Sequence, residues 1–440
     1  MQAYFHTIAA EIEKLLRGNE IYLASFNGEE SDFVRFNRGE IRQAGTVVQS
    51  YLSIDLIEGR RHSSSEITLS GDLESDRPRL AHAIEELRAT RPFLRDDPFL
   101  LYSEQPQSSE SVSRGELPDG AAAAAAIQEI GRGRDLVGIY AAGPIHSGFA
   151  SSFGQRNWHS TESFHLDWSL YQRDDRAVKT SYAGFQWREE ELRRKSSTAC
   201  EQLAALARPS RTLRPGRYRV YLAPAAVREL VELLCWGGFS MRAVRTKTTP
   251  LIRLAEDQAA LSSSIEITEN TREGVAPNFQ DAGFIRPDLV PLVSGGRMTG
   301  CLVSPRSAAE YGIPTNGASS SEAPHSIELA GGAIPADQAL EQLGTGLYVS
   351  NLWYCNFSDR SACRTTGMTR FATFWVENGA ITAPVDVMRF DETIYRVLGE
   401  NLVGLTTERE LILDTGTYET RSTESARLPG ALVEDFTLTL

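Results

Sequence analysis

The chain has no apolar window long enough to cross a bilayer, and its amino-terminal stretch, MQAYFHTIAAEIEKLLRGNE, lacks a basic segment followed by an unbroken apolar run. Neither a membrane span nor a secretory leader is expected, and the chain reads as cytoplasmic. It also lacks a surplus of positive charge. A formal net charge of −13 gives no bulk attraction to nucleic-acid phosphates or anionic lipid, so neither nucleic acid nor membrane is an expected partner. Cysteine is scarce. Cys200, Cys235, Cys301, Cys355 and Cys363 are odd in number and contain no CxxC pair, which argues against a disulfide framework and a cysteine-rich zinc site; reduced, buried thiols are expected. The glycine-rich SGGRMTG at 294–300 lacks the Lys-Ser/Thr ending of a phosphate loop, and suits a sharp turn or a close crossing of strands. No repeat of fixed period stands out.

What is present is the composition of a soluble globular protein with many turns. Apolar residues make up 41% and charged residues 23% of 440, with 35 glycines and 19 prolines spread along a length that suggests two or three domains. Tyr4, Ile8, Ile12, Leu15 and Leu16 form one helical stripe within 3–17, and a strand begins at Ile21. Asp32 to Phe36 leads to a turn at Asn37-Arg38-Gly39. Val48, Leu52, Ile54 and Leu56 then alternate with polar residues, the pattern of half-buried antiparallel strands, continued by Ile67 and Leu69. Asp76, with Pro78 two residues on, predicts a helix start, and Pro92 its end. Residues 95–120 lack periodicity and read as an exposed connection. A small-residue helix over 121–130, a β-meander of short aromatic strands over 136–185 and a helix over 189–206 follow. Tyr218, Val220 and Leu222 mark a strand, Pro224 opens a helix through Trp236, and the rest is strands and turns with short helices near 304–311 and 391–399. The expectation is an α+β fold, a helix-containing antiparallel-sheet amino-terminal half and a β-rich carboxyl-terminal domain, divided as 1–115, 116–210 and 211–440.

The run TGMTRFATFWVENGAITAPV at 366–385 is the most telling. Phe371 to Glu377 is aromatic and β-branched, Asn378-Gly379 suits a type I′ turn, and Ala380 to Val385 returns as the partner strand. With the preceding GLYVSNLWYCNFSDRSACRTTG at 346–367, it resembles the carboxyl-terminal domain of the TldD/PmbA (TldE) family of peptidase-related proteins. The resemblance is strongest over 294–405 and weaker over 33–90, where FVRFNRGEIRQAG looks like the family's opening strand pair.

The resemblance implies a zinc motif, His-Glu-x-x-x-His, on the helix after Tyr218 to Leu222 in the catalytic TldD-type subunit; its two His bind the metal and its Glu polarises zinc-bound water. The run here is Arg228-Glu229-Leu230-Val231-Glu232-Leu233. Glu229 keeps its register, while Arg228 and Leu233 stand at the ligand positions and bind no zinc. The ligand positions lie about 140° apart on a regular helix, which the family relaxes with a Gly before the second His; here that residue is Glu232. The family's third ligand is a Cys in a stretch resembling 413–440, but no cysteine follows Cys363. No metal, cofactor or catalytic residue is therefore expected. The resemblance implies a zinc-free PmbA/TldE-type subunit of a cytoplasmic metallopeptidase. Its expected partners are a TldD-type zinc-bearing subunit, or itself as a homodimer, and extended, unfolded or modified peptides, which open strand edges bind through the backbone.

Two other readings stay open at this point: a stand-alone hydrolase with replaced chemistry, using Cys363 or Glu229 and Glu232, and a homodimeric peptide-binding or regulatory protein. Arg364 beside Cys363 would favour a thiolate, but the only His in 300–440 to serve it is His325. His146, like His325, follows a loop proline and has no visible partner. His159, Glu162, His165 and Asp167 cluster in sequence; on an alternating strand the two His stand about 20 Å apart, too far for one ion, and packing roles are expected. Trp353, Tyr354, Asn356, Ser358, Arg364 and Arg370 combine aromatic anchors with polar donors in what reads as a turn-rich loop, the mixture expected of a peptide- or partner-binding surface.

Overall fold

A computed structural model describes residues 1–173 and 176–440. Helix α1 (Gln2–Leu15) buries Phe5, Ile8, Ala9 and Ile12 on one stripe. β1 (Ile21–Asn37) and β2 (Glu40–Glu58) form a long hairpin whose turn, Arg38-Gly39, takes positive φ at both residues. The two strand pieces expected near Ile21 and Asp32 are thus one strand. β3 (Arg61–Leu69) pairs with β2 only from Ser50 to Glu58, so the outer edge of Glu40–Gln49 has no strand neighbour among the described residues.

Helix α2 (Leu73–Thr90) starts earlier than the sequence suggested. Asp72 is the cap, accepting from the Ser75 N–H at 3.0 Å, whereas Asp76 is buried and accepts from the Ser70 N–H. Pro78 lies inside the helix, where it forfeits one backbone bond. The expected connection contains a short strand, β4 (Glu110–Ser113), parallel to a later one.

After α3 (Gly120–Gly131), the meander appears as three strands, β5 (Asp135–Ser151), β6 (Arg156–Arg173) and β7 (Arg176–Gly184). The first two are long, not short. Two glycines in β5 are sites of close approach: a Cβ at Gly143 would meet the Glu30 carbonyl at 2.1 Å, and one at Gly148 would meet the Phe5 ring at 2.7 Å. The sheet runs β3-β2-β1-β5-β6, with β4 and β7 both on β6, so segments on either side of residue 115 share it.

Helix α4 (Glu189–Leu206) leads to the second sheet. β8 (Gly216–Leu222) and α5 (Pro224–Cys235) are followed by α6 (Met241–Arg245), α7 (Ile252–Ala255), β9 (Ile267–Glu269), β10 (Val290–Ser294), β11 (Arg297–Met298), α8 (Pro305–Tyr311), β12 (Ser326–Leu329) and α9 (Ala339–Leu343). Gly295 and Gly296, both at positive φ, turn β10 into β11, as the SGGRMTG stretch suggested. β13 (Gly346–Asp359), β14 (Arg364–Glu377), β15 (Ala380–Pro384), β16 (Arg389–Thr393), β17 (Leu402–Leu413) and β18 (Ser425–Leu438) complete the chain. β18 pairs with both β16 and β8, closing β8-β13-β14-β16-β18 into a ring against which α5 packs Val227, Leu230, Val231 and Leu234. The β14–β15 turn is Asn378-Gly379, at φ 52° and 78°, as read from sequence.

Two local expectations change. The segment 351–370 is no loop but the far half of the β13–β14 hairpin, bulged between Trp353 and Asn356, with Tyr354 at φ 55°. The helix expected near 391–399 starts later: Asp391 lies in β16, and the helical stretch runs from Ile394 to Glu400, π-type over Arg396–Glu400.

Candidate functional site

Where the first sheet meets α4, α5 and the end of β17, the chain leaves a cleft of about 460 Å³. The apolar stripe of α5 faces the core, which leaves Arg228, Glu229 and Glu232 on the cleft side. Leu233 is 2% exposed and packed inward. Arg228 donates from Nη1 to the Leu413 carbonyl at 3.2 Å, and its Nε lies 3.6 Å from Glu232, so its guanidinium ties α5 to the end of β17. Glu229 has no hydrogen bond or ion pair among the described residues. Burial first, and then the Glu232 carboxylate, raises its pKa above the usual glutamate range.

The opposite wall comes from the first sheet. His165 and Asp167 project from β6 and Lys179 from β7. Burial raises the Asp167 pKa, which the Lys179 ammonium 3.1 Å away partly offsets. Burial, helped by the Arg421 guanidinium, lowers His165 to about 4, so its imidazole is neutral at neutral pH; its Nε2 has no partner. A pair between Lys195 and Glu410 joins α4 to β17 across the floor.

Arg421, unnoticed in the sequence, holds the segment after β17 against the first sheet. Its guanidinium donates to the Gly143 carbonyl and the Ser163 carbonyl, both at 3.0 Å, and its backbone N–H to Glu29. Burial lowers its pKa to about 10. No motif announces this residue, because its partners come from β1, β5 and β6.

The sequence candidates scatter. His165 and Asp167 enter the cleft, but His159 lies 3.1 Å from the Val275 carbonyl beside a separate cavity, and Glu162 accepts from the Gly115 N–H. The hairpin candidates stand beyond the cleft. Tyr354 is 81% exposed, Trp353 is exposed, and Asn356 accepts from the adjacent Phe357 N–H. Arg364 pairs with Asp391 at 2.6 Å, Ser358 donates to the same carboxylate, and Arg370 lies over the Phe371 ring. From 351–370 only Asn351 lines the cleft. The thiol alternative finds no support: Cys363 is fully buried, burial pushes its thiol up to about 12, and His325 is half-buried and bonded through its backbone to Glu269.

The residues at the helix do not fit a zinc ion. Arg228 is a permanent cation already bonded, Leu233 has no donor atom, and among the described residues no three His, Cys, Asp or Glu side chains gather closely enough to hold a metal.

The fold and the α5 cleft define a metallopeptidase-related protein of the PmbA/TldE type. Residues 215–440 match the PmbA/TldA metallopeptidase C-terminal domain, and the chain belongs to that family. Metalloprotease PmbA of Escherichia coli O157:H7 is 30% identical over 122 residues, 28% of this chain and 26% of that protein, so the match spans about a quarter of the relative's length. TldE from Thermococcus kodakarensis superposes with a TM-score of 0.79 at 13% identity, covering 99% of this chain and 100% of that one. A candidate modulator of a DNA gyrase from Thermotoga maritima gives 0.78 at 14%, covering 99% of each chain. These two likenesses concern the fold. No helix among the described residues is long and apolar enough to cross a membrane.

Proposed function

We propose that this chain is the zinc-free, PmbA/TldE-type subunit of a cytoplasmic two-subunit peptidase that acts on unfolded or modified peptides, with a TldD-type chain supplying the metal. One observation carries the reading: a cleft lies over α5, and the two helix positions where the family carries its histidines hold Arg228 and Leu233, which bind no zinc. Arg228 is spent on Leu413 and Glu232, and Leu233 faces the core. The chain's own residues then bind and orient peptide rather than cleave it. The unpaired edge of β2 supports a role for strand addition, whether to peptide or to a partner chain.

The test is elemental analysis after dialysis, paired with a cleavage assay on unfolded peptides. No stoichiometric zinc and no hydrolysis by the isolated chain are expected, with hydrolysis appearing only when a TldD-type chain is added. One zinc per chain, or chelator-sensitive cleavage by the chain alone, overturns the proposal.

A further inference from the structure

We infer that the free edge of β2 pairs with an extended peptide that sets an aromatic side chain opposite Gly45 and an acidic one two residues away, within reach of Arg35. The inference rests on the chain being a peptide-binding subunit and adds what the peptide must carry.

The cleft wall does not end at β6. Strand pairing puts His165, Ala141, Phe33 and Gly45 on one rung of the first sheet, and Asp167, Ile139, Arg35 and Gln43 on the next. The face that walls the cleft therefore continues to the outer edge of the β1–β2 hairpin. There it opens into a second groove of about 460 Å³, lined by Phe33, Arg35, Gln43, Gly45, Val47 and Tyr418 among others. Gly45 belongs to the stretch of β2 that has no strand beside it among the described residues. The outward N–H and C=O groups of that stretch can pair with an extended chain.

Gly45 sets the first requirement. Glycine weakens a strand and commonly marks a left-handed backbone or a close approach. Neither applies here: its φ lies outside the left-handed region, and an added Cβ would meet no atom within 4 Å. The space over it is open to an incoming strand. A residue paired opposite Gly45 would lay its side chain across the glycine toward Phe33, the neighbour of Gly45 on β1. An aromatic ring fills that space best, and half-buried Phe33 with the 96% exposed Tyr418 offers it apolar surface.

Arg35 sets the second. It is the one charged side chain lining the groove, and it has no hydrogen bond or ion pair among the described residues. Arg35 stands directly across from Gln43, so a peptide residue paired with Gln43, two places from the one at Gly45, lies one strand further out. The arginine and an acidic side chain there together span the roughly 10 Å between alternate strands. A cationic side chain at that place would be repelled.

Fluorescence anisotropy with the purified full chain near neutral pH tests this. The probes are labelled peptides of Thr and Ser, acetylated and amidated at their ends, around a central Phe-Thr-Glu or its reverse. In at least one order this form is expected to bind about tenfold tighter than the form with Ala for Phe, and about tenfold tighter than the form with Lys for Glu. Gly45→Leu, which puts a side chain into the open space, should abolish the preference for Phe, and Arg35→Gln the preference for Glu. Both positions are exposed, so far-ultraviolet dichroism should be unchanged in each variant. Methylating the backbone nitrogens of alternate peptide residues should weaken binding in one phase and spare it in the other, because only every second N–H faces the edge. Equal affinity for the Phe and Ala forms, or a Phe preference that survives Gly45→Leu, overturns the Gly45 assignment and leaves the peptide reading standing. Equal affinity for the Glu and Lys forms overturns the part given to Arg35. The same effect in both methylated phases overturns edge pairing. If Gly45→Leu halves the mass found by light scattering and leaves peptide affinity unchanged, the edge takes a second copy of the chain and the inference falls. Binding of no form overturns the peptide reading and the inference together.

Discussion

His165 and His325 show how single side chains set the acid limit of this protein. Burial lowers His165 to about 4 and His325 to about 3, each with help from a nearby arginine, against an ordinary value of 6.5. The unfolded chain therefore takes up protons that the folded chain refuses. Stability from this source is complete above the unfolded value and is lost as pH falls toward the folded values, by about 3 kcal/mol for His165 alone. Melting temperature should drop between about pH 7 and about pH 5, and His325→Gln should reduce that drop. Calorimetry at the two pH values checks this; an equal drop in the variant would show that His325 is not a source. At the same scale, Arg228 and Glu229 were legible as neighbours on an amphipathic helix, and the structure sets both on the cleft side of α5. His165 and Lys179 were not legible as cleft residues, nor Arg421 as the tie between the tail and the first sheet, because strand pairing and a long tail set their neighbours and neither leaves a local pattern.

Regularity decides which elements could be read from sequence. The hairpin turning at Asn378-Gly379 carries its turn code, and α4 spans 189–206 as its periodicity predicts. Immediately before that hairpin, register shifts at Val349/Asn351, Trp353/Asn356 and Phe357/Asp359 scramble the alternation, so a paired strand reads as loop. The bulges also turn Trp353 and Tyr354 out to solvent. An aromatic pair displayed on a rigid hairpin suits recognition of a peptide or partner. Replacing Tyr354 and Arg370 with Ala should weaken such binding several-fold while leaving the far-ultraviolet dichroism intact. Unchanged affinity would remove the hairpin tip from the interface.

The whole molecule presents edges that a partner would cover. The outer edge of β2 over Glu40–Gln49 has no strand beside it among the described residues, and Val48 there is 67% exposed. Light scattering at micromolar concentration should find about twice the 48.6 kDa chain mass, with exchange into a mixed complex when a TldD-type chain is added. A monomer throughout, with no mixed complex, would make this a solitary protein. The ring in the second sheet constrains assembly in time as well as space. Its first strand, β8, lies near the middle of the chain, and the strand that closes it, β18, is made more than two hundred residues later. On the ribosome the first sheet can finish while β8 still waits for β18, and α5 lacks its β18 contacts for the whole interval. A nascent chain stalled before β18 should accordingly be a ligand for holdase chaperones, with α5 as the segment they grip.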